Sequence, residues 1–517
     1  MCDLIDRKFA VFSFLDREHT IAGEHYSRWL VPPAALAIHL SIGQAYAFSV
    51  FNLPLSKAVG ISASAPEDWK LSTIGWVFSV AIVFLGLSAA VFGAWLERVG
   101  PRKAMFVSAL CFASGFQVAA LGVVTHQFWL LLLGYGVLGG IGLGLGYISP
   151  VSTLIRWFPD RPGMATGLAI MGFGGGAMIA SPLSTMLMTN FRSATSTGVA
   201  PTFAVMGALY FAFMMCGAFM VRVAPPGWRP AGWVAPVKQK SMVTTSNVTA
   251  ARAIQTPQFW LLWMVLCLNV SAGIGVLGQA SPMIQEMFPG VISAGAAAGF
   301  VGLLSLANMG GRFFWSSLSD RIGRKVVYGV FFLLGAVLYA LVPATGRAGS
   351  VALFVLGYVV IISMYGGGFA TIPAYLRDMF GTIQVGAIHG RLLTAWSVAG
   401  VLGPVLVNYI REYEIAHGVP KADAYTVTMR IMAGLLLVGF VCNALIRAVD
   451  ARFAATEGEA TLLERSRQSG AFPARNFAAV GSDRALAPLL ATAWLLVGVP
   501  LAWGVGQVFK KSLDLFR

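Results

Sequence analysis

Apolar runs of about twenty residues recur along this chain, and each is long enough, as a helix, to cross the hydrocarbon core of a bilayer. They lie near residues 30–53, 72–95, 104–125, 128–155, 163–189 and 201–222, and again near 258–280, 292–316, 326–344, 350–375, 387–410 and 428–449. In lipid every backbone polar group must be satisfied inside its own segment, so each run is restricted to helix. Composition agrees: 11% of the residues are charged and 57% hydrophobic, where a soluble domain is about a quarter charged. The expected fold class is an all-α membrane protein.

The polar stretches divide the chain. A short tail (1–29) precedes a first six-helix bundle (30–222). A central loop (223–257), rich in Pro, Lys and Ser, leads to a second six-helix bundle (258–449), and a polar linker (450–484) follows. The segment 485–517 opens with "APLLATAWLLVGVPLAWGVGQVF". It is long enough to be a thirteenth span, though its prolines leave an interfacial helix as the alternative. The tail carries Asp3, Asp6, Arg7, Lys8, Asp16, Arg17 and Glu18 ahead of any long apolar run, unlike a cleavable signal peptide.

The net charge of +15 would suit nucleic acid only if the basic residues formed a stripe. Instead they punctuate the apolar runs. Fourteen, among them Arg98, Arg102, Lys103, Arg156, Arg161, Arg321, Arg324 and Lys325, fall in one set of loops, and seven, such as Lys57, Arg192 and Arg411, in the alternate set. That bias predicts a cytoplasmic N-terminus and a multi-pass membrane protein, with lipid and not nucleic acid as its surroundings. Five cysteines without a C-x-x-C pair indicate neither a disulfide framework nor a zinc site.

The two halves repeat. "GAWLERVGPRK" follows the second span and "SSLSDRIGRK" the eighth. Glu97 and Asp320 are 223 positions apart, and so are Gly100 and Gly323. Gly93, Arg98 and Arg102 belong to the first motif, and Arg321 and Arg324 to the second. Two ordinary basic loops would not keep equal spacing and matched helix order. Six helices repeated in parallel is a layout of secondary transporters.

These loops resemble the signature of the major facilitator superfamily between helices 2–3 and 8–9. More narrowly, "GLGLGYISPVSTLIRWFPDRPGMATGLAIMGFGGG" resembles the fourth and fifth helices of the oxalate/formate antiporter family, relatives of the monocarboxylate transporters. "YAFSVF" at Tyr46–Phe51 and "HGRLLTAWSVAGVLGP" at His389–Pro404 add to the likeness, which covers roughly residues 30–450. The resemblance implies two six-helix bundles in pseudo-twofold arrangement, a bacterial inner membrane and alternating access. It also implies that Glu97, Asp320 and their arginines latch the cytoplasmic gate. The last segment resembles a small single-span protein found beside such transporters.

Enzymatic and cofactor readings fail. No G-x-x-x-x-G-K-[ST] loop is present, and "GFGGG" (172–176) and "GGIGLGLG" (139–146) lie inside apolar spans, where small residues serve close helix packing. No Asp or Glu lies in the apolar cores of the twelve runs. What remains is Arg312, His39 and Arg391. Arg312, in "ANMGGRFFWSS", has two readings: it snorkels toward Asp320 eight residues on, or it grips a carboxylate. Asn308, one turn earlier, shares its face.

By resemblance, a substrate-binding arginine belongs at Arg312, and the family lysine of the eleventh helix is replaced by Trp396. Tyr46, Tyr147, Tyr365, Phe369 and Trp396 correspond to cavity-lining positions, though aromatics in spans also serve packing; Gln44 is a further polar candidate. Arg391 is expected to face elsewhere. His39 either protonates as a second cation or packs with a hydrogen bond. One cation suits a monocarboxylate and two suit a dianion. The expected function is exchange of small organic anions by a monomeric carrier, with no metal or cofactor. A proton-linked symporter using His39 and a transport-inactive sensor are the alternatives.

Overall fold

In the computed structural model the described residues are 14–23, 25–225, 228–233, 243–244, 247–456, 458–459 and 486–512. The start of the tail, Lys238 and Lys240 of the central loop, and the linker's 460–484 stretch lie outside them. The described chain is almost wholly helical, and twelve of its helices are long and apolar enough to cross a membrane.

The first bundle holds α1 (Val31–Ile42, continued by tighter turns over Gly43–Phe51), α2 (Leu71–Val99), α3 (Pro101–Val124), α4 (Phe128–Trp157), α5 (Pro162–Phe191) and α6 (Val199–Met220). The second holds α7 (Pro257–Met287), α8 (Ala294–Ile322), α9 (Arg324–Arg347), α10 (Val351–Phe380), α11 (Val385–Leu392 and Thr394–Ala416) and α12 (Thr426–Leu445). The helices run past the apolar runs by up to a few turns, because amphipathic ends stay helical beyond the lipid-facing length. Three depart from regular geometry: α1 tightens after Ile42, α4 widens into π-type turns over Leu132–Gly139, and α11 is interrupted at Leu393.

The repeat extends through the helices. Both ends of α2, α3 and α4 recur 223 positions on as those of α8, α9 and α10 (71 and 99 to 294 and 322, for example), and the start of α5 recurs as that of α11 (162 to 385). The bundles meet along two matching contacts, α2 on α11 and α5 on α8. Glycines permit both. A Cβ on Gly390 would stand 2.1 Å from the Ala89 carbonyl oxygen, and one on Gly167 would stand 2.9 Å from that of Arg312. Gly167 and Gly390, like Ala89 and Arg312, are 223 apart. Gly93 likewise abuts Ala387, where a Cβ would come 2.9 Å from its Cα.

This makes a sharp prediction. Gly390→Ala loses about 1–3 kcal/mol through overpacking against backbone. Gly434→Ala, whose added Cβ meets nothing within 4 Å, is neutral or gains from the better helix propensity of alanine. Thermal unfolding of the two variants in detergent tests it, and equal melting temperatures would refute the packing argument.

The segment 487–512 is a helix, α13 (Ala487–Ser512). It lies on both bundles: Val497 packs with Leu36, Ala37 and Leu40 of α1, and Leu501 and Val508 pack with Met178 of α5 and Met309 of α8. Only 17% of its most apolar stretch is buried, so most of its surface faces outward, as on a lipid-facing perimeter.

Candidate functional site

Arg312 sits in the middle of α8 and is fully buried. Its side chain does not run toward Asp320. Helical side chains lean toward the N-terminus, and Arg312 Nε donates to Asn308 Oδ1, one turn back, at 2.9 Å. Nη1 donates across the bundle interface to the Ile170 carbonyl of α5 at 3.3 Å, and Nη2 has no protein partner. The guanidinium lies 5.6 Å from the Phe173 ring centroid and 5.2 Å from that of Phe369. Snorkelling is therefore not what this arginine does.

The energetics follow. An ion buried without a counter-ion costs several kcal/mol even after relaxation. Two cation–π contacts return about 0.5–2 kcal/mol each, and a hydrogen bond to a charged group about 1.5–3. No ion pair to Arg312 occurs among the described residues, and its Nη2 makes no hydrogen bond. An anion would be the strongest stabiliser this position could meet.

Around Arg312 the two bundles contribute a shell of aromatic rings. Trp396 of α11 is fully buried, 4.4 Å from Phe369 and 5.3 Å from both Phe173 and Tyr147, centroid to centroid. Its Nε1 has no partner, and neither has the Tyr147 hydroxyl. Tyr46 of α1 and Tyr365 of α10 share a hydrogen bond between hydroxyls 3.0 Å apart, joining the bundles. His39 of α1 lies edge-on to Tyr147 at 5.4 Å, with Nδ1 3.2 Å from the Ala35 carbonyl oxygen.

Of the residues picked from sequence, Arg312, Asn308, Tyr46, Tyr147, Tyr365, Phe369, Trp396 and His39 thus come together. Gln44 does not join them: its Oε1 accepts from Tyr135 at 2.9 Å. Arg391 also turns away and donates to the Ala250 carbonyl. Two residues of the shell were missed. Phe173 stands 223 positions before Trp396, so extending the repeat would have found it. His389, 5.9 Å from Tyr147 and buried with Nε2 unpartnered, was in view only as part of a motif.

The paired motifs form a second constellation at the end of the bundles that carries the more basic loops. Glu97 Oε1 accepts from the Gly386 N–H at 3.0 Å, and Asp320 accepts from the N–H groups of Gly163 and Met164 at 2.9 Å. Each acid thus caps the first turn of a helix in the other bundle, where N–H groups lack helical partners. Gly163 and Gly386 are again 223 apart. Arg156 pairs with Glu97 at 2.5 Å, and Arg324 pairs with Asp320 at 2.6 Å and Asp378 at 3.1 Å. Gly100 and Gly323 have φ of +89° and +96°, which glycine adopts without the cost other residues bear. Arg98 and Arg321 are exposed.

The basic residues after the two glycines match by offset. Arg102 donates to the Phe219 and Val221 carbonyls at the end of α6. Its counterpart at the same offset is Lys325, which caps the end of α12 through the Ala444 and Ile446 carbonyls at 2.8 Å. Arg324 occupies the position of Pro101, so Arg102 and Arg324 are not equivalent. Lys325, read from the sequence only as one of the basic loop residues, holds the place that matches Arg102.

The pattern described as Major Facilitator Superfamily matches residues 34–404 and 292–509. The chain belongs to that superfamily. It is therefore a membrane transport protein and not an enzyme. The chain is 28% identical over 379 residues to an oxalate:formate antiporter of Oxalobacter formigenes, covering 73% of this chain and 83% of the relative. It is 24% identical over 438 residues to the human monocarboxylate transporter 11, covering 81% and 83%. Among solved structures it resembles FucP in the outward conformation, with a TM-score of 0.57, 14% identity and coverage of 83% and 100%. That likeness concerns the fold.

Proposed function

We propose that this superfamily member carries small carboxylates by alternating access, as an exchanger. The observation that carries this reading is Arg312, a buried cation between two bundles with an unpartnered Nη2 and, among the described residues, no carboxylate to balance it. Beside it, Tyr147 and Trp396 hold further unpartnered donors in an apolar shell, the composition of a small-anion site. The antiporter and monocarboxylate relatives support the substrate class.

Exchange follows from the charge. Reorientation with Arg312 unbalanced means moving an uncompensated ion through a low-dielectric centre, and a bound monoanion removes that cost. The loop bias supports a cytoplasmic basic end and N-terminus, and the bacterial antiporter relative supports an inner membrane.

The test is uptake of radiolabelled formate, acetate, lactate or oxalate by purified protein in proteoliposomes, each preloaded with each unlabelled anion. Uptake that requires internal anion is expected. Uptake into vesicles without internal anion, driven by a pH gradient, would replace exchange by proton symport. Trp396→Phe keeps the ring contacts and removes the N–H donor. Its exchange half-saturation concentration should rise about tenfold, the worth of one hydrogen bond to an anion, with its melting temperature little changed.

A further inference from the structure

We propose that His39 and His389 together supply the second positive charge of the site, so that a dianion binds with one added proton while a monoanion needs Arg312 alone. This rests on the carboxylate reading above and extends it to small dicarboxylates.

The two histidines come from opposite bundles and flank the same ring, that of Tyr147, at 5.4 and 5.9 Å. They are 0% and 1% exposed, and Nε2 of each has no partner. At His39 the neighbouring acceptor fixes the tautomer. Nδ1 faces a carbonyl oxygen, which can only accept, so Nδ1 carries the hydrogen and neutral Nε2 holds a lone pair. A buried lone pair without a donor is a place for a proton. His389 also breaks the repeat: Thr166 stands 223 positions earlier, just as Ala89 stands before Arg312. Positions that depart from an otherwise matched repeat mark where one bundle serves something other than packing.

Charge balance gives the pair its task. His39 and His389 share the shell that holds Arg312, since both flank the ring of Tyr147. Among the described residues, the other ionisable groups facing these helices are engaged elsewhere or uncharged. Helix α4 contributes Tyr147, α5 and α6 carry no Asp, Glu, Lys, Arg or His, and α13 carries Lys510 near its far end. Around α11, Glu97 pairs with Arg156, Asp378 with Arg324, and Arg391 bonds Ala250. A monoanion beside Arg312 makes a neutral complex. A dianion leaves one negative charge in the same dry shell, and taking one proton from water onto the histidine pair removes it. Both loaded forms then cross with the same net charge, which permits exchange of a dianion for a monoanion.

The experiment is inhibition of labelled formate exchange in proteoliposomes by oxalate and by acetate. It is run from about pH 6 to about pH 8, above the ordinary carboxyl range. Oxalate should bind more tightly as pH falls, by up to about tenfold per unit, the slope of a one-proton linkage, while acetate stays flat. The double variant His39→Gln/His389→Gln should lose that slope and weaken oxalate, relative to acetate measured in the same variant, about tenfold or more at the acidic end. A flat oxalate profile in the unmodified protein, or a double variant with unaltered slope, overturns the proposal and leaves the carboxylate reading standing. If the double variant does not fold, the profile of the unmodified protein decides. Absence of all carboxylate exchange by the unmodified protein overturns both.

Discussion

Arg312→Gln is expected to abolish carboxylate exchange while making the protein more resistant to heat. Removing one partner of a buried ion pair costs about 3–5 kcal/mol, so anion affinity should fall by a factor of about a hundred or more. In the absence of substrate the same change removes an uncompensated buried charge, and glutamine still reaches Asn308. The melting temperature should therefore rise or hold. An arginine kept for structure would behave in the opposite way, since its loss would also forfeit the Ile170 bond and the contacts with Phe173 and Phe369. Arg312→Lys retains a charge but not the planar fork that grips a carboxylate through two N–H groups, and should lose about tenfold or more. Counterflow assays and thermal unfolding with and without formate decide it. Normal exchange by Arg312→Gln, or a lowered melting temperature with exchange intact, would end the reading of Arg312 as the group that grips the carboxylate.

The fold was legible because a bilayer asks little of sequence beyond length and apolarity. Each helix could be counted from its run, and the motifs at Glu97 and Asp320 carried the repeat. Helix irregularities were not legible: the tightening of α1 after Ile42 depends on the close passage of α5, where a Cβ on Gly43 would stand 2.4 Å from the Phe173 carbonyl oxygen. In the site, Arg312 could be seen because a charge inside an apolar run stands out alone. Its direction could not, because eight residues of helix to Asp320 say nothing of which neighbour the guanidinium meets. His389 and Phe173 escaped for another reason. Histidine near a span end and phenylalanine within one are common, and only a strict 223-residue register separates them from background. That register was read at four positions when it was available at dozens. Gln44 erred in the reverse direction, since a polar residue in an apolar run finds whichever partner packing brings, here Tyr135.

Glu97→Gln and Asp320→Asn should each open the basic end, and together they should open it about as far as their separate effects multiplied. In the structure each carboxylate caps a helix of the opposite bundle, receiving N–H bonds strengthened by its charge and by the helix dipole. The amides keep one acceptor oxygen but lose the charge, at a cost of about 1–1.5 kcal/mol per site within the range for N-caps. A loss of 1.4 kcal/mol shifts a two-state population tenfold. Among the described residues the two caps draw on different partners: Glu97 bonds Gly386 and Arg156, and Asp320 bonds Gly163, Met164 and Arg324. Independent sites add in free energy, so the double variant should favour the open form about a hundredfold. The reporter is Ser152→Cys in a cysteine-free background. Ser152 is 4% exposed and lies against Gly386, so a thiol there reacts with a membrane-impermeant reagent only when α4 and α11 part. Labelling from the basic side should quicken about tenfold in each single variant. Arg98→Ala, at an exposed position of the same motif, should leave it unchanged. Unaltered labelling in the double variant would mean that glycine-mediated packing of α2 on α11 and α5 on α8 closes this end unaided, and that the acids serve only local helix ends.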